Sequence, residues 1–76
     1  MKKAARVKLH GLVMQARQHP SQRTLLLSQA LRLAQQALAR DANDRDAMRG
    51  LGLSWWYLGA RRRGRALLKA CRTPLT

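Results

Sequence analysis

Residues 21–40 constrain the fold more than any other stretch. Leu26, Leu27, Ala30, Leu31, Ala34, Ala37 and Leu38 recur at helical spacing, and Gln29, Arg32, Gln36 and Arg40 fall opposite them. A broad apolar face with that period is an amphipathic helix that must pack against other elements. Two breaks frame it. His19-Pro20-Ser21 precedes it, where the proline pushes His19 out of the helical region and itself suits the first turn of the next helix. Asp41-Ala42-Asn43-Asp44-Arg45-Asp46 follows it as a short polar turn holding every acidic residue of the chain.

The remaining segments read the same way. Their apolar residues are mostly Leu and Ala, with no Phe or Ile and only two Val, which favours helix over strand. In residues 3–18, Ala5, Leu9, Leu12, Val13 and Ala16 form one side while Lys3, Arg6, His10 and Arg17 fall towards another; Gly11 weakens this helix. Asn43 or Asp44 is a natural N-cap for a third helix over about 44–58, where Asp44 and Asp46 suit the positive end of the dipole and Gly59 closes the far end. A fourth helix over about 61–72 points Leu67, Leu68 and Cys71 inward and stops at Thr73 and Pro74. Its first turn is Arg61, Arg62 and Arg63, where the dipole disfavours cations and no capping residue stands, so the start invites an anion. The expected fold is all-α: about four short antiparallel helices in one domain, 1–76.

A chain of 76 residues buries only about 60% of its unfolded surface, so a partner would help it. Sixteen Lys and Arg stand against three Asp and no Glu, a net charge of +13. Such a field attracts polyanions, whether nucleic acid, anionic membrane or acidic protein. Residues 1–38 carry seven positive charges and 39–76 carry nine positive and three negative, so no detachable basic tail stands out. Cys71 is the lone cysteine and forms no internal disulfide, which points to a reducing cytoplasm. Arg6 and Lys8 interrupt what would have to be the apolar core of a signal peptide, and the acid-poor composition of the whole chain argues against reading its start as a transit peptide. The longest uncharged run, 51–60, falls short of the roughly 20 residues a membrane span needs.

From Ala30 to Cys71 the chain resembles a tetratricopeptide repeat, a helix-turn-helix unit with the pattern W-x2-L-G-x2-Y followed by A-x3-F. Met48 stands at the tryptophan position, Leu51-Gly52 is the L-G pair, Trp55 replaces the tyrosine, and Gly59 falls in the turn. Gly64 and Leu68 take the places of A-x3-F, and Cys71 holds the small position beyond. One repeat earlier, Ala30, Ala34 and Ala37 keep the same phase before a closing D-A-N-D, with Ala42 in place of proline. The similarity covers about 22–72; helix 1 does not match in phase. It implies that Ala30, Gly52 and Gly64 are small so that helix axes approach closely, while Trp55 and Leu68 fill the volume between them. With fewer than three repeats, the resemblance implies packing onto itself, a second copy or a partner.

Trp55 and Trp56 are consecutive and so point about 100° apart on a helix. Trp55 is expected in the core, leaving Trp56 and Tyr57 partly open. The resemblance places Arg49, Leu53, Trp56 and Tyr57 on the concave face with which such repeats bind extended or helical peptides. Arg61, Arg62 and Arg63, with Arg65 nearby, would orient an acidic partner through the guanidinium fork. The reading is therefore a protein–protein interaction module in which the first and third helices line a groove for an acidic or amphipathic peptide, an adaptor or chaperone similar to the short chaperones that shield a bacterial secretion-system subunit. A charge-driven nucleic-acid binder, helix-turn-helix-like, is the alternative, although the chain has no zinc-finger ligands and no clear recognition helix. His10 and His19 stand apart from Cys or acids at ligand spacing, so no metal or other cofactor is expected. Catalysis is not expected either: there is no carboxylate pair, phosphate loop or nucleophile–base set, Cys71 reads as core, and Thr24 and Ser54 read as ordinary helix residues.

Overall fold

The computed structural model describes residues 2–72, and among them the chain is all-α. Helix α1 spans Lys3–Gln18, α2 Arg23–Arg40, α3 Arg45–Tyr57 and α4 Arg61–Arg72. A single 3-10 turn, Pro20–Gln22, separates α1 from α2, so the second helix starts two residues later than its periodicity suggests. The reason is local. The amide of His19 donates to the Gln15 carbonyl, closing α1, and that of Gln22 donates to the His19 carbonyl at 2.9 Å, a tight turn built around Pro20. The expected stop at Thr73 and Pro74 lies outside the described residues.

The second connection is set by two aspartates. Asp41 Oδ1 accepts from the Asn43 amide at 3.0 Å, turning the chain, and Asp44 Oδ1 accepts from the Ala47 amide at 3.1 Å, capping α3. Of the two candidate caps the structure uses Asp44, because Asn43 is held inside the preceding turn. Asp44 is buried and its carboxyl is held below the ordinary value. Burial pushes the other way, and hydrogen bonds from the amides of Ala47 and Asp46 are among the interactions that lower it. The third connection turns at Gly59, whose φ of 101° lies in the region that favours glycine.

Each helix packs on its predecessor, and α1 also meets α3, so α3 lies between α1 and α2 on one side and α4 on the other. Leu9 and Val13 of α1 join Ala30 and Ala34 of α2 in the buried core, with Leu12, Leu33, Leu51, Leu53 and Tyr57 packed around them. Leu27 is fully buried, worth about 1.5–3 kcal/mol of transfer free energy. The buried residues of α3 are all small: Ala47, Gly50, Gly52 and Ser54. Ser54 disposes of its hydroxyl by donating to the Gly50 carbonyl at 2.7 Å.

Two close approaches follow from those small residues. A Cβ on Gly50 would collide with the Leu9 side chain, so α3 offers α1 a hole for that leucine. A Cβ on Gly64 would lie 2.6 Å from the Gly52 carbonyl oxygen and 2.8 Å from the Trp56 amide nitrogen. Here backbone meets backbone. Among the described residues α4 touches no helix but α3, and Gly64, Leu67, Leu68 and Cys71 form its inner side. Trp55, whose position in the sequence predicts a core anchor, is instead only half-buried, because helices this close leave no room between them for an indole.

Candidate functional site

Helix α3 carries a groove on each side, and the two meet at Leu53. Between α1 and α3 lies a cleft of about 300 Å³. Leu9, Val13, Gly50 and Leu53 form its apolar part, with Val7 exposed at its edge. Arg6, His10 and Arg49 supply polar groups along it. Arg6 also meets Asp46 across the cleft at 3.6 Å, with both side chains about half-exposed. An ion pair in that setting contributes about 0–1 kcal/mol, and it brings the cleft its negative charge.

The second groove, about 440 Å³, opens between α3 and α4 and is lined by Leu53, Trp56, Tyr57, Arg65, Leu68 and Lys69. Among the described residues no acidic side chain lines it. All three aromatic side chains of the protein lie on this part of α3, and each has a guanidinium over its ring. Arg63 sits 4.7 Å from the Trp55 centroid, Arg61 5.3 Å and Arg65 5.9 Å from that of Trp56, and Arg17 of α1 5.6 Å from that of Tyr57. The first turn of α4, which lacks acidic residues, thus finds π faces for two of its arginines.

The residues expected to act together are therefore divided. Arg49 and Leu53 belong to the α1–α3 cleft, whereas Trp56 and Tyr57 line the other groove with Leu53. Arg61 and Arg63 lie on indole rings, and Arg62 is exposed beside them. A groove between α1 and α3 is expected from the sequence, but the α1 residues that line it, above all Arg6, Val7 and His10, do not stand out there as site residues. Neither do Arg17, Leu68 and Lys69 as site residues. For Arg65 and Lys69 a signal exists: with Arg61 they repeat every four residues on α4.

His10 lies in the cleft and His19 in the α1–α2 connection, on different parts of the chain. Cys71 is buried, and its Sγ lies 3.6 Å from the Arg45 carbonyl oxygen. Burial pushes its thiol up, against the pull of Arg49 and Arg45, which keeps it a protonated packing group near neutral pH. No described helix is long and apolar enough to cross a membrane. Comparisons of the chain with protein-family models, curated proteins and solved structures return no match.

Proposed function

We propose that this protein is a small basic interaction module whose α1–α3 cleft takes an acidic or amphipathic peptide from a protein partner, as an adaptor or a dedicated chaperone does. The observation that carries this reading is the cleft itself: an apolar floor of Leu9, Val13 and Leu53 beside the cations Arg6 and Arg49. Apolar side chains of a peptide gain burial on that floor, and its carboxylates gain paired hydrogen bonds from guanidinium groups. The narrower form, a tetratricopeptide-like chaperone for a bacterial secretion-system subunit, draws its support from the order and lengths of the helices. Self-association through the same face is the competing use of it.

A photo-reactive side chain placed at Arg49 in the full chain tests the reading in the native cell, after nuclease treatment and a wash at about 0.5 M salt, which screens charge-only interactions. The expected result is one protein cross-linked from position 49 and none from Gln35, exposed on α2. Leu53→Asp should abolish that product. Equal cross-linking from both positions, or a product indifferent to Leu53→Asp, would overturn the assignment.

A further inference from the structure

The three aspartates occupy the α2–α3 connection and its first following turn, at the N-terminal end of α3. The C-terminal end of the same helix has the opposite character. Arg17 reaches it from α1, and Arg61, Arg63 and Arg65 reach it from α4, all on aromatic rings. Helical connectivity has gathered cations from both sides around the only aromatic side chains in the chain. Beside them, Arg61, Arg65 and Lys69 rise along α4 one turn apart, roughly 6 Å per step.

We propose that this end of the bundle, where Trp56 and Tyr57 meet Arg17, Arg61 and Arg65, is a binding surface for single-stranded nucleic acid. Phosphates engage the arginine forks and the row of cations on α4. A guanidinium over a half-exposed ring is held weakly, so a phosphate draws it off the ring and leaves that face to a base. Stacking on aromatic rings beside a cationic track is the physics of sequence-tolerant single-strand binding. The open groove holding Trp56, Tyr57, Leu53 and Leu68, with Arg65 and Lys69 on its rim and no acid among its lining residues, gives an unpaired base its entrance. An acidic peptide would satisfy the arginines but make no stacking use of the rings, and a duplex keeps its bases stacked inside. This surface goes beyond the peptide cleft and meets it only at Leu53.

The test uses the full chain and three probes at about 0.15 M salt: a fluorescent oligothymidylate of about ten nucleotides, an abasic strand of the same length, and polyglutamate. The oligothymidylate should bind about tenfold or more tighter than the abasic strand, with quenching of tryptophan fluorescence. Trp56→Leu should erase that difference while leaving abasic binding unchanged, and the Arg61→Gln, Arg65→Gln pair should flatten the dependence of log affinity on log salt by about 0.7 for each phosphate no longer neutralised. Equal affinity for the abasic and base-carrying strands would overturn the proposal, and so would polyglutamate competing as well as the oligonucleotide. Circular dichroism reports whether Trp56→Leu folds; if it does not, the comparison of the two strands on the unaltered chain decides alone.

Discussion

The seam between α1 and α3 and the seam between α3 and α4 both depend on glycine, but in different ways. At the first, Gly50 makes a hole that the Leu9 side chain fills; at the second, Gly64 brings the α4 backbone against the Gly52 carbonyl and the Trp56 backbone, with Leu67 and Leu68 packed beside Gly52. A flexible side chain can yield, and a helix backbone can only move as a whole. The surfaces differ accordingly. Beside the first seam a cleft with an apolar floor carries an acid and its arginine; beside the second, exposed arginines lie on half-buried aromatic rings. Close packing therefore decides where the side chains go that a ligand would meet.

Among the glycine substitutions the largest effect should come from Gly64→Ala. Its methyl would press on the Gly52 carbonyl oxygen and the Trp56 backbone, so the cost should reach about 3 kcal/mol, the upper part of the overpacking range, despite alanine's better helix propensity. Urea unfolding measures it, and amide exchange should show α4 opening first, since α4 rests on α3 alone among the described helices. An unchanged midpoint would mean that the two seams are alike. Gly50→Ala should cost less, about 1–2 kcal/mol, because the obstacle is a leucine side chain. In a Leu9→Ala background, itself destabilised by about 2–5 kcal/mol, the added cost of Gly50→Ala should vanish or reverse. No side-chain truncation should rescue Gly64→Ala in that way.

Asp44→Ala should cost about 1 kcal/mol by removing the cap of α3, and Asp44→Asn should keep most of that stability. The two also differ in acid. The folded carboxyl of Asp44 lies below its ordinary value of 3.8, so its contribution is complete above that value and declines as pH falls through the lower folded value. Thermal melts below about pH 4 should therefore converge for the parent protein and Asp44→Asn; parallel curves would remove the linkage. The smallest effect is a gain. Gly11 faces open space in the middle of α1, so Gly11→Ala should stabilise by about 0.5–1 kcal/mol, the reverse of the loss at Gly64.

Helix boundaries are largely legible in the chain. The 3.6-residue recurrence of Leu9, Val13 and Ala16, or of Leu27, Ala30 and Ala34, places both the helix and its inner face, and those residues are buried. Polar punctuation narrows the start of α3 to Asn43 or Asp44, of which the structure uses Asp44, and places the closing turn at Gly59. The start of α2 differs by two residues from its periodicity because a proline in the first turn is compatible with either an α-helix or a 3-10 turn. Trp55 departs from its expected place in the core because periodicity assigns a face and not a depth. The candidate site is legible only in part. A groove between helices 1 and 3 is expected, and Leu53 and Arg49 stand out on α3, but which residues of α1 face them, and the reach of Arg17 to Tyr57, depend on residues about 40 positions away in the chain.

Local sequence sufficed for four helices, most of their inner stripes, a capped polar turn at Asn43 or Asp44 and a strongly cationic composition. These are local properties: backbone propensity, side-chain period and charge are carried by each residue and its near neighbours. Tertiary packing alone decided that Leu9 enters the hole at Gly50, that Gly52 meets Gly64, that Asp46 faces Arg6, and that the arginines of α1 and α4 converge on three aromatic rings. Those outcomes depend on how closely two helix axes approach and at what rotation, which is settled by volume complementarity across the seam rather than by any one segment.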